Sequence, residues 1–276
     1  MQDTEHPVWL FELNLYGPFV IPTRCTLEEV DAFFSDDACF QSIEIKNASY
    51  GAQASFRVQA SNSLHANQLA LFAMEQLLNV LVIKFNTPLY VTRQDNRPML
   101  QSRTASKRIM EKPEWQQALR EAHYFLHHQP AYLQSLGHYR KALCHDNPVE
   151  KFLAFVNTME HLAQHTPRSG LSEPKRDRLE VLQRAFNSLW SERAGWPHLQ
   201  HDDGTLESIV DLSIHCTNGV SPILAGTIGQ VVELLEITHR MAHAYLVAWR
   251  QQHIAIPTDT LPSGLHIETG WGNILQ

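Results

Sequence analysis

Residues Asn147–Leu162 read NPVEKFLAFVNTMEHL. Pro148 suits a first helical position, where its missing N–H would have no partner in any case. Asn147 before it can cap, and Glu150 falls at the third helical position, as in a capping box. Phe152, Val156, Met159 and Ala163 recur at steps of four, three and four, which is one face of a helix. Leu153, Phe155 and Leu162 widen that face. The segment therefore reads as a helix buried on more than one side, at the centre of an all-helical half of the chain.

Working outward, Trp115–Leu126 and Ala131–Leu143 read as helices separated by Pro130. Downstream, a loop at Thr166–Ser172 precedes a helix opened by Pro174, with Leu179, Leu182, Phe186 and Leu189 on one face and Gly195-Trp196-Pro197 at its end. A shorter helix spans Asp203–Ile214, stopped by Asn218-Gly219 and Pro222. Thr227 reads as the cap of a last long helix to about Gln251, with Ile228, Val231, Leu235, His239, Ala242, Leu246 and Trp249 near one face. The tail from Ile254, with Pro257, Pro262, Gly264 and Gly270, is expected to be extended.

The first hundred residues have a different pattern. Val8–Tyr16 is strand-like, Gly17-Pro18 is a turn signal, and Phe19–Pro22 reads as a short partner strand. Thr26 with Glu29 predicts an N-cap and a helix through Phe34. Phe40–Lys46 and Ala52–Ala60 alternate as half-buried strands around a turn at Asn47–Gly51. Ser63–Asn79 predicts an amphipathic helix along Leu69, Phe72, Ala73, Gln76 and Leu77, followed by apolar segments at Leu81–Phe85 and Leu89–Thr92. Arg97–Pro113 is polar and basic and reads as an exposed linker. The expected organisation is an α+β module at 1–100, a linker at 101–113, a helical domain at 114–252 and a tail at 253–276.

Composition narrows the function classes. An apolar fraction of 43% and a charged fraction of 18% in 276 residues belong to a folded chain. A net charge of −7 argues against a broad nucleic-acid or anionic-membrane surface. Cys25, Cys39, Cys144 and Cys216 form no Cys-x-x-Cys pair, so free thiols in a reducing cytoplasm are expected rather than disulfides or a zinc site. Asp3, Glu5 and His6 leave no basic start of a signal peptide. The apolar run Leu77–Ile83 is interrupted by Asn79 and is short for a bilayer, so no membrane role is expected.

Sixteen histidines include three pairs spaced i, i+4 on predicted helices: His123/His127, His161/His165 and His239/His243. Such spacing puts two imidazoles on one face, which a divalent metal can use. Glu236 lies three residues before His239, giving one Glu-x-x-His where a di-iron bundle needs two and further carboxylates. The metal site suggested by these residues is Glu236, His239 and His243, set against solvated helix faces with no cofactor. Gly219-Val-Ser221 lacks the second glycine and the strand context of a nucleophile elbow. Cys144-His145 and His215-Cys216 are adjacent on helices, so their side chains diverge by about 100°.

The order Tyr139-Arg140-Lys141-Ala142-Leu143, Asp146-Asn147-Pro148, Phe152-Leu153 and Glu160-His161-Leu162 resembles the Apea-like and methylamine-utilisation-J-like branch of the HEPN superfamily. These are helical domains that include many prokaryotic ribonucleases of toxin and defence systems. The resemblance spans roughly 115–250 and extends to a short helix ending in Asn218-Gly219 and the long helix after it. In that superfamily catalytic members use an Arg, roughly four to six further residues, and then a His before Gly, about one and a half to two helical turns on. If Gly219 matches that Gly, Asn218 stands where the His belongs and Ser213 near the Arg, leaving His215 as the nearby imidazole. Phosphodiester cleavage needs a base and a cation, and Asn and Ser supply neither.

The expected fold is thus an α+β N-terminal module followed by an all-α HEPN-like bundle. The expected function is that of a non-catalytic binding or accessory protein, cytoplasmic, in a defence or stress system. HEPN domains pair through their helices, so the resemblance implies a homodimer or another protein as partner, with RNA as a second partner class. The alternative is a ribonuclease using Arg140 and His145, or Arg193 and His198. The further alternative is the metal-dependent enzyme on Glu236, His239 and His243.

Overall fold

The computed structural model describes residues 6–27, 39–48, 51–92, 108–165, 178–190, 196, 204–217 and 225–254. The strands are β1 Val8–Tyr16, β2 Phe19–Val20, β3 Cys25–Leu27, β4 Cys39–Ala48, β5 Gly51–Gln59, β6 Tyr90–Thr92 and β7 Arg108–Ile109. The helices are α1 Ser63–Phe85, α2 Lys112–His128, α3 Pro130–Cys144, α4 Pro148–Gln164, α5 Arg178–Trp190, α6 Thr205–Thr217 and α7 Ala225–His253. An α+β N-terminal module is followed by a helical bundle, as the sequence pattern predicts.

A five-stranded antiparallel sheet has the order β3-β4-β5-β1-β6. Alternation along it sends Leu13, Leu15, Ile43, Ile45, Ala54, Phe56 and Val58 inward, all buried. Leu10, Glu12, Ser42, Glu44, Lys46, Ser55 and Arg57 line the opposite face. A register shift between Phe40 and Ser42 lets Phe40 and Ile43 both point inward although they are three residues apart. Gly51, at φ +157°, sits where a Cβ would lie 2.2 Å from the Leu15 carbonyl oxygen, so no side chain fits there.

Three expectations change in this module. Thr26 opens no helix: it and Leu27 are in β3, opposite Glu44 and Ile43 of β4, and residues 28–34 of the predicted helix lie outside the described residues. β2 pairs with β7 in parallel rather than with β1, so Arg108 and Ile109 of the expected linker belong to a small second sheet. The helix predicted to end at Asn79 continues to Phe85.

α1 packs against β1, β5 and β6 on one side and α2, α3 and α7 on the other. Burial on two sides explains why it is apolar nearly all round in its second half. The helix is also long and apolar enough to cross a membrane: its most apolar 18-residue window has a mean hydropathy of 1.4, and 56% of that window is buried within the fold. The Asn62 side chain caps its start by accepting from the His65 N–H at 2.9 Å. Asn86 ends it in the left-handed conformation, φ 48°, with its N–H donating to the Val82 carbonyl at 2.8 Å. Phe72, expected on the inner face, is 38% exposed.

α4 is the centre of the helical half, packed against α3, α5, α6 and α7. Asn147 caps it, accepting from the Val149 and Glu150 N–H groups. The Glu150 carboxylate lies 3.1 Å from His145 Nδ1. Phe152, Phe155, Val156, Met159 and Leu162 are all buried, each contributing about 1.5–3 kcal/mol from removal of apolar surface from water. α7 starts before Thr227, which is buried inside the helix rather than capping it. Residues 255–276, the expected extended tail, lie outside the described residues.

Candidate functional site

Polar side chains gather where the end of α1 meets α3 and α7, with α4 packed against both of those helices. The left-handed turn at Asn86 brings its amide to the Tyr139 hydroxyl, which donates to Asn86 Oδ1. His239 Nε2 of α7 lies 2.8 Å from the Tyr139 oxygen and 2.8 Å from Asn86 Oδ1. Because Oδ1 only accepts, its contact with Nε2 is a hydrogen bond when Nε2 carries the proton. The Phe155 ring stacks on the imidazole with centroids 4.8 Å apart. Burial, then the neighbouring His243, push the His239 pKa down to about 4, so the ring is neutral near pH 7. Burial raises the Tyr139 phenol well above its ordinary value. One turn along α7, His243 Nε2 donates to the Ile83 carbonyl at 3.2 Å.

Arg140, next to Tyr139, is buried. Its Nε–H donates to Asn79 Oδ1 at 2.7 Å and its Nη1–H to the Leu89 carbonyl at 3.2 Å, while Glu75 lies 3.9 Å from Nη2. Asn79, which looks in the sequence like a break in an apolar run, is the interior anchor for this guanidinium. Beside it the Tyr90 hydroxyl donates to the Cys144 carbonyl at 3.3 Å, and the Cys144 thiol to the Leu89 carbonyl at 3.5 Å. Burial raises the pKa of the Cys144 thiol and takes Tyr90 to about 12. The low imidazole and the raised phenol and thiol are poorly matched to proton transfer or nucleophilic attack at neutral pH. The arrangement fastens four helices together.

Arg140 and His145 have separate partners, Arg140 in the interior and His145 with Glu150. Ser213 is buried and donates from Oγ to the Val210 carbonyl at 2.8 Å, while His215 is exposed on α6. Glu236 pairs with Arg240 one turn on. Arg193, His198, Asn218 and Gly219 lie outside the described residues. The pairs His123/His127 and His161/His165 meet with ring centroids 4.5 and 4.7 Å apart, and His161 also meets His138 at 5.6 Å. Among the described residues no group of three or more His, Cys, Asp or Glu side chains is arranged to hold a metal ion.

Sequence reasoning missed the contact between Tyr139, Asn86 and His239, whose members are 53, 100 and 153 positions apart. Asn86 after a long apolar helix, with Pro88 shortly beyond, is a helix-stop signal that marks one member. Comparison of the chain with protein-family models, with curated proteins and with solved structures gave no match.

Proposed function

We propose that this chain is a non-catalytic HEPN-like accessory protein that works by binding protein, first of all a second copy of itself, in a defence or stress setting. The observation that carries this reading is on α7. Ile228 and Val232, one turn apart, are 40% and 55% exposed. Among the described residues nothing lies within 4 Å of a Cβ built at Gly226 or Gly229, which leaves room beside this end of the helix for an approaching surface. An apolar pair with glycines before and between its members suits close packing against another helix. In the same direction, Arg140, His145, Glu236, His239 and His243, the described residues of the enzyme alternatives, are engaged in contacts within the chain.

The test is the solution mass by light scattering. Wild type is expected at twice 31.6 kDa, and the double variant Ile228→Asp, Val232→Asp at the single-chain mass with unchanged helical circular dichroism. A wild-type chain that stays at the single mass at high micromolar concentration contradicts self-pairing.

A further inference from the structure

A groove of about 290 Å³ runs between α1 and α3, near the lower end of the size range for small-molecule sites. Its walls are mixed, with Glu75 and neutral polar side chains beside an apolar and a cationic region. Phe72, Leu126 and Leu133 are apolar, while Arg140 and Lys141 are cationic. Leu133 and Arg140 are two turns apart on α3, about 10 Å along the helix. Arg140 is buried, yet only part of its donor fork is used: Nε and Nη1 have oxygen partners within hydrogen-bond distance, and Nη2 has Glu75 at 3.9 Å. A guanidinium presents five donors in a fixed plane and suits a carboxylate. Gly137 lies between the two regions, where a Cβ would come within 3.2 Å of Asn79 Nδ2. Glycine inside a helix costs about 1 kcal/mol relative to alanine, and here its small size keeps α3 close to the amide that holds Arg140.

We propose that this groove binds a small amphipathic carboxylate, its acid group on Arg140 Nη2 and Lys141 and its apolar body along Phe72, Leu126 and Leu133. Glu75 is then a competitor for the same cation, and the groove selects against neutral analogues because they leave the buried guanidinium unmatched.

The experiment is isothermal titration calorimetry with 4-phenylbutyrate and its neutral amide. The acid is expected to bind and the amide to bind at least tenfold more weakly. Glu75→Gln, which removes the competing charge, is expected to tighten the acid about two- to fivefold. Lys141→Gln and Phe72→Ala are each expected to weaken it. Arg140 is left in place because it holds Asn79 and the Leu89 carbonyl in the interior. Absence of binding to both wild type and Glu75→Gln overturns the proposal. So does equal binding of acid and amide, or binding unmoved by Lys141→Gln and Phe72→Ala. None of these outcomes bears on pairing through α7, which the mass measurement tests separately.

Discussion

His239 on α7 and Asn86 at the end of α1 are 153 positions apart in the chain, and the imidazole Nε2 lies 2.8 Å from the amide Oδ1. The Tyr139 hydroxyl touches both. The contact ties the last long helix to the end of the first, beside the sheet strand β6 that follows it.

Tyr139→Phe keeps the buried ring and removes the hydroxyl. Asn86 Oδ1 loses a donor and His239 a polar neighbour. The expected cost is about 1–2 kcal/mol of stability, a lost hydrogen bond in a low-dielectric setting. Urea unfolding followed by circular dichroism measures it, and a change within a few tenths of wild type would show the hydroxyl to be dispensable.

Acid should destabilise the fold through His239. Its folded pKa of about 4 lies below the unfolded value of about 6.5. Above about pH 6.5 the ring is neutral in both states and the contact is complete. Between about 6.5 and 4 the unfolded chain takes up a proton that the folded chain resists, so stability falls as pH falls. Lys151 of α4 and Arg240 and His243 of α7 oppose the charge, and Glu236 favours it. The full effect is about 3 kcal/mol before discounting for water at the partly exposed ring. Urea midpoints at pH 7 and pH 4.5 should differ less for His239→Gln than for wild type. Equal pH dependence in the two would remove His239 from the account.

The pair Glu121 and Arg250 joins α2 to α7 at 2.9 Å, almost out of reach of solvent. Gln117 also donates to Glu121, at 3.0 Å, and the Arg250 guanidinium lies 5.5 Å from the centre of the Phe125 ring. Glu121→Ala strands a buried cation and is expected to cost about 3–5 kcal/mol, whereas Glu121→Leu with Arg250→Met should recover most of that. Thermal unfolding of the single and double variants checks both. A double variant as unstable as the single one would contradict the argument.

Much of the fold could be read locally. Asn147-Pro148 marks the start of α4, and steps of three and four mark its inner face, because capping and amphipathicity act within a few turns. β1, β4 and β5 were legible from alternation, apart from the bulge after Phe40. What failed depends on distant partners. Asn79 looked like an interruption because its stabilising contact, Arg140, comes 61 residues later. Thr26 has cap chemistry but a free strand edge beside Glu44 claims it. Ile228 and Leu235 shared a helical face with Val231, yet Ile228 is exposed and Leu235 partly buried, since the bundle covers α7 unevenly along its length. Of the polar cluster at the end of α1, the histidines were visible as a spacing, but their partners Asn86 and Ile83 lie on another helix.

The most direct test of the central claim is cleavage of end-labelled single-stranded RNA by the purified chain, with His145→Ala and Ser213→Ala purified identically. Wild type is expected to cleave no more than either variant, because Arg140 and His145 serve separate structural partners and the Ser213 hydroxyl donates to the Val210 carbonyl. Cleavage by wild type that His145→Ala abolishes would contradict it and make the chain a ribonuclease.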